Sequence, residues 1–211
     1  MPNLPTLPAL TSDFSFLQRM PLSCGRTLNR LIRTLTTLSQ APSASISAAS
    51  ADEAEARAIY RLLQNPILTE SDLTEAFRQE TVKQMKETGE SVFLCVQDTT
   101  EISYASRGKT PGLGECRAKH SKGLLLHSAL ALTTSRLPIG LLHQKIWTRD
   151  PALKEQRKVE RPYEEKESYK WTEAAQASAE AVPETLKLIH VGDREADFFE
   201  FLSQLEQDRQ S

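Results

Sequence analysis

Two short segments hold most of the chain's potential for chemistry. Residues 91–98 read SVFLCVQD and residues 186–197 read LKLIHVGDREAD. Each opens as an apolar run and gives way to an aspartate, Asp98 in the first and Asp193 in the second. Carboxylates in such places suit magnesium or manganese, hard cations that take a few oxygen donors and keep other positions for water and phosphate. Two such ions about 3.5–4 Å apart activate an attacking oxygen and stabilise a leaving one in phosphoryl transfer. Each aspartate also has an ordinary reading. Asp193 suits the N-cap of a helix, and Asp98, followed by Thr99 and Thr100, suits a turn. The pair gains meaning as a metal site only if the two strands are neighbours whose carboxyl ends coincide, where ligands gather in α/β sheets.

The elements around these segments permit that arrangement. Short apolar runs bounded by turn residues predict strands at 91–96, 123–134, 139–147 and 186–191. The segment SRLP is the turn between the second and third. An alanine-rich stretch over 164–182 predicts a helix that stops at Pro183, and Phe198, Phe201, Leu202 and Leu205 line a closing helix to about residue 207. The order strand, strand, strand, helix, strand, helix reads as an α/β sheet, first antiparallel and then parallel, in which the strands at 91–96 and 186–191 can lie side by side at its centre.

Upstream the pattern is helical. Leu28, Leu31, Ile32, Leu35 and Leu38 recur at helical spacing over 26–40, with Arg26, Arg30 and Arg33 on other faces. The polar stretch 41–50 reads as a loop. A Ser50/Glu53 capping pattern opens a second helix that stops at Asn65-Pro66, and Thr69/Asp72 open a third that runs to near Gly89. The expected division is a small all-α domain over 1–88 and an α/β domain over 89–211. Prolines at 2, 5 and 8 predict an extended amino-terminal tail.

Composition narrows the class. With 211 residues and 39% hydrophobic content the chain can bury a core. No run approaches the roughly 18 apolar residues of a membrane span, and the start lacks the features of a signal peptide, so the expectation is a cytoplasmic protein. Cys24, Cys95 and Cys116 match neither a disulfide framework nor a zinc site. The net charge of −2 conceals an alternation: residues 1–50 carry +3, 51–102 carry −6, 103–170 carry +7 and 171–211 carry −6. Basic segments flanking acidic strand ends suit a phosphate-binding surface around a metal-holding centre, although a solvated, charge-mixed surface is the commoner explanation. Arg26, Arg30 and Arg33, with Lys119 and Lys122 before the second strand, are the candidate phosphate contacts; any one alone reads as a solvated charge. His127 and the two tryptophans read as core residues. Glu167 and Trp171 are expected on one face of the 164–182 helix, and Lys166 and Lys170 on another.

The blocks FLCVQDTTEISY, KGLLLHSALAL, GLLHQKIW, EKESYKW and GDREADFFEFL, with YRLLQNPILT upstream, resemble the DDE-type bacterial insertion-sequence transposases of the insertion-sequence-four, Tn-five-like family. The similarity runs through most of residues 24–205. It implies a ribonuclease-H-like catalytic domain, an α/β mixed sheet, preceded by a small all-α domain that binds double-stranded DNA at the terminal inverted repeats of a transposon. It further implies a homodimer in a synaptic complex. Asp98 and Asp193 then correspond to the first two acidic residues of a catalytic triad holding Mg2+ or Mn2+. The implied reaction is cleavage of one DNA strand by activated water, followed by attack of the freed 3′ hydroxyl on phosphodiesters. Two departures stand out. The family often has an acidic residue where Cys24-Gly25 stand, and its third acidic residue, in a YREK-type helix, has no counterpart within these 211 residues. The chain thus resembles the front part of a transposase, expected to bind DNA but not to cut it alone. Its rivals are a non-catalytic DNA-binding or interfering protein, and a small nuclease that takes its third carboxylate from Glu195 or Asp197.

Overall fold

The computed structural model describes residues 13–22, 24–104, 110–117, 121–149 and 161–208. The proline-spaced tail and Lys119 lie outside the described residues. The chain divides into two compact units, Met1–Glu80 and Thr81–Ser211.

The first unit is helical. A 3-10 turn over Ser15–Arg19 precedes α1 (Gly25–Gln40), α2 (Ile46–Ala49), α3 (Glu53–Leu63) and the first part of α4 (Glu70–Glu87). Leu17, Met20, Leu31, Leu62 and Ala76 form its core, with Phe14, Phe16 and Phe77 packed against it as tilted and edge-on rings. Two sequence expectations change here. The stretch 41–50 contains the short α2, whose first turn is capped by the Ser45 hydroxyl. The cap of α3 is Asp52, not Ser50: its carboxylate accepts the Glu55 N–H at 2.7 Å, while the Glu55 carboxylate accepts the Ala51 N–H at 2.7 Å. The reciprocal logic of a capping box survives, displaced by two residues, because Asp is as good an acceptor as Ser at that place. At α4 the Thr69 hydroxyl does accept the Asp72 N–H, at 3.1 Å, and Gly89, with φ of 74°, follows the helix end.

The second unit is α/β. Its five strands are β1 (Val92–Ser103), β2 (Gly114–Glu115), β3 (Lys122–Thr133), β4 (Pro138–Trp147) and β5 (Lys187–Val191), with α5 (Tyr169–Ala181) and α6 (Phe199–Asp208). β1 pairs antiparallel with β3 and parallel with β5, while β2 and β4 both pair antiparallel with β3. β5 therefore lies at the edge of this sheet, beside β1 and not at the centre. β1 is also twice the expected length, since its hairpin with β3 continues to Ser103.

The two faces of the sheet differ. Phe93, Cys95 and Gln97 of β1 and Leu125, His127, Ala129 and Ala131 of β3 are buried on one face, with Met85, Leu142, Ala174 and Val182. Alanines at 129, 131, 174 and 175 let the helix α5 approach the sheet closely, the dense packing that stabilises such a core. Trp171, Ala175, Ala196 and Phe201 continue that layer, with Phe198 and Leu205 against them. By strand alternation the opposite face carries Leu130, Ile146, Ile189 and Val191, which are 42%, 41%, 50% and 40% exposed.

Candidate functional site

In the helical unit, Arg26 and Arg30 stand one turn apart on α1 and are exposed. Arg33 is also exposed but not free, since its Nε donates to the Glu55 carboxylate at 3.2 Å. The Ala51 amide and then Arg33 hold the Glu55 carboxyl below its usual range. α1 begins at Cys24, which occupies the N-cap position without a side-chain cap hydrogen bond of normal geometry. The Thr27 hydroxyl, and after it the Thr27 and Arg26 amides, nevertheless pull its thiol down to about 7, as amides at a helix start do for an anion. Two exposed arginines at the start of a helix can contact successive phosphates of a nucleic-acid backbone.

In the α/β unit, the parallel register places Val96 opposite Val191. Asp98 and Asp193 each follow two residues later, Asp98 within β1 and Asp193 beyond the end of β5 at the head of a 3-10 turn. Asp98 sits within β1, just past the point where β5 ends, and is exposed. Asp193 is exposed too, extended in conformation, and one of its oxygens accepts the Glu195 N–H at 2.8 Å to cap the 3-10 turn Arg194–Ala196. Gly192 between strand and cap is required by packing: a Cβ there would stand 2.8 Å from the Trp171 ring and 2.9 Å from Ala196. The capping and metal readings of Asp193 are therefore compatible, because the cap uses a single carboxylate oxygen.

Beneath Asp98 runs a polar relay that fixes this part of β1. The Gln97 carbonyl oxygen accepts from His127 Nε2 at 3.1 Å, the Gln97 amide donates to His190 Nδ1 at 3.2 Å, and the Thr99 hydroxyl donates to His127 Nδ1 at 2.8 Å. His127 is fully buried, with both nitrogens used and its ring edge-on to Trp171. Burial, and then the positive charge of Lys170, holds it down to about 4, so it is neutral and a core residue.

A network of charges lies on the same side as the turn after β5. Arg149 makes a two-pronged ion pair with Glu167, both contacts 2.9 Å, and reaches Glu101 at 3.5 Å. Glu101 also accepts the Arg117 backbone N–H at 3.1 and 2.9 Å. The Arg117 guanidinium pairs with Glu195, whose other oxygen lies 3.8 Å from Lys170 Nζ. Sequence reasoning did not find this network, because its members are far apart along the chain; Glu167, Lys170 and Glu195 were singled out, but for other reasons. Glu167 precedes α5 instead of sharing its face with Trp171, and Lys170 is buried against Trp147 and Trp171 at 5.8 and 5.9 Å. Lys122 is exposed at the start of β3.

As a cation site, Asp98 and Asp193 offer hard oxygen donors of the kind and small number that magnesium accepts. They do not make a closed site: among the described residues no group of three or more His, Cys, Asp or Glu is disposed to hold a metal ion. Glu195, considered from sequence as a third ligand, is engaged by two cations. Among the described residues no helix is long and apolar enough to cross a membrane.

Residues 18–68, within the helical unit and including α1 and α3, match the family model described as transposase DNA-binding, which gives the amino-terminal part of this chain a transposase-related, DNA-binding character.

Proposed function

We propose that the chain is related to the DDE-type transposases of the insertion-sequence-four family, with its helical unit seated on transposon ends and its sheet belonging to the ribonuclease-H-like class. The observation that supports the reading is the parallel register of β1 and β5, in which Val96 and Val191 are partners two residues before Asp98 and Asp193. The match of residues 18–68 supports DNA as the partner. In this reading Arg26 and Arg30 bind backbone phosphates, Arg33 contributes less because Glu55 holds it, and Lys122 extends the basic surface of the second unit.

Asp98 and Asp193 would hold one magnesium or manganese ion, with Gln97, His127 and Thr99 fixing the strand that presents Asp98. A bound ion supplies activation of an attacking oxygen and stabilisation of the charge that develops on phosphate. Two carboxylates hold such an ion weakly. The chain by itself therefore binds DNA ends without cutting them. The open donor set and the engagement of Glu195 equally favour a second reading, a non-catalytic DNA-binding protein that occupies transposon ends or pairs with full-length enzyme.

The test uses duplexes taken from the DNA flanking the reading frame, where terminal inverted repeats stand. The expected result is sequence-preferring binding by the 211-residue chain in EDTA, with no strand cleavage when magnesium is added. Binding no tighter than to a scrambled duplex would remove the end-recognition reading. Magnesium-dependent nicking abolished by Asp98→Ala would overturn the view that the chain is inactive alone.

A further inference from the structure

Lys170 stands out among the charges of the α/β unit. Its side chain is only 6% exposed, yet among the described residues its ammonium makes no hydrogen bond; the nearest carboxylate oxygen, on Glu195, is 3.8 Å away. An ammonium has three donors, and the Glu195 contact at 3.8 Å is an ion pair longer than a hydrogen bond. The rings of Trp147 and Trp171 fix its stem. Arg117, which shares Glu195 with Lys170, has its backbone pinned by Glu101 while its side chain remains 66% exposed. Arg149 differs from both, since Glu167 satisfies its fork from two sides. Two cations thus converge on one carboxylate that fills their donors incompletely. That carboxylate rides on the 3-10 turn directly after Asp193 and is 41% exposed.

We propose that Lys170 and Arg117 form a binding site for a backbone phosphate of DNA at the turn that follows Asp193, and that Glu195 occupies this site in the free protein as an internal substitute for the phosphate. A phosphodiester brings tetrahedrally arranged oxygens where Glu195 brings a planar pair, so it can satisfy the Arg117 fork and the Lys170 ammonium together. Displaced Glu195 turns outward to solvent. The inference rests on the reading that this chain handles DNA, but it concerns the second unit, whereas end recognition is assigned to the first.

The full 211-residue chain contains two tryptophans, Trp147 and Trp171, and both neighbour Lys170, so their fluorescence reports this site and not the helical unit. A short labelled duplex without repeat sequence is titrated while fluorescence and label anisotropy are read together. Glu195→Gln, which keeps the shape and removes the competing charge, is expected to tighten the fluorescence-detected binding about fivefold, in keeping with a largely exposed ion pair. Arg117→Ala, an exposed substitution that leaves the fold intact, is expected to weaken it about fivefold as well. Lys170→Met should abolish the signal and Lys170→Arg restore it. Binding of Glu195→Gln no tighter than that of the parent chain would overturn the proposal. So would anisotropy-detected binding that leaves fluorescence unchanged, an outcome that keeps end recognition by the first unit intact. Saturation of the fluorescence change by inorganic phosphate but not by duplex would also overturn it, assigning the site to free anions.

Discussion

Val96 of β1 and Val191 of β5 are register partners in a parallel ladder, and this single pairing sets the relation of Asp98 to Asp193. Both aspartates lie two residues beyond a paired valine, Asp98 within β1 and Asp193 in the turn that follows β5. Ile189 and Val191, on the face of β5 away from α5, are half exposed. The opposite side is closed by α5 and held by the Gln97–His127 relay. Asp98 and Asp193 are themselves exposed.

The relay predicts a pH dependence of stability. His127 is held at about 4 in the folded chain, against an ordinary value of 6.5. Its folded value is depressed, so only the unfolded chain takes up the proton between these values, and the contribution present above pH 6.5 is lost as pH falls toward 4. The loss reaches about 3 kcal/mol at most. Urea unfolding at pH 7 and pH 4.5 should show a larger drop for the parent chain than for His127→Gln, which can keep the contact to Gln97 but has no imidazole to protonate. An equal drop in the two proteins would contradict the assignment of His127 as a buried neutral group.

The cysteines should react in a fixed order. Cys24 is pulled down to about 7 at the start of α1, burial and the Glu101 charge push Cys116 up, and burial raises Cys95 to about 11. Since the thiolate is the reactive form, a disulfide reagent at pH 7.5 is expected to label Cys24 first, Cys116 more slowly and Cys95 only on unfolding. Mass spectrometry of timed samples checks the order, and early labelling of Cys95 would contradict the burial of β1.

The arginines of α1 should differ in their share of DNA binding. Each phosphate contact removed lowers the slope of log affinity against log salt by about 0.9 for duplex DNA. Arg26→Ala and Arg30→Ala are each expected to show a decrease of that size, and Arg33→Ala a smaller one because Glu55 already neutralises it. Binding isotherms at several salt concentrations measure the slopes. An unchanged slope in Arg26→Ala and Arg30→Ala would move the DNA contact elsewhere on the helical unit.

Much of this was legible in the chain. Apolar runs predicted β1, β3, β4 and β5 to within a few residues apart from the far end of β1, and the order of elements allowed β1 and β5 to be parallel neighbours without requiring it. The edge position of β5 did not, because which side of a strand lacks a partner depends on the whole sheet. The α3 cap slipped from Ser50 to Asp52 because the two candidate acceptors lie two residues apart and propensity barely separates them. The Arg117–Glu195–Lys170 contacts were invisible, since nothing local links three residues from the β2–β3 connection, α5 and the turn after β5. His127, by contrast, read correctly as a core residue from its apolar strand alone.

The central claim, that Asp98 and Asp193 share one cation, is tested most directly by titrating the protein with manganese(II) and following free ion by electron paramagnetic resonance. Asp98→Asn should abolish specific binding. Asp193→Asn should do the same while keeping the melting temperature, because an Asn oxygen still accepts the Glu195 N–H. Asp193→Ala should lose both the ion and about 1 kcal/mol of stability from the missing cap. Weak binding of a single ion by the parent chain, lost in both Asn variants, is the result predicted; manganese bound equally by the parent, Asp98→Asn and Asp193→Asn would contradict it.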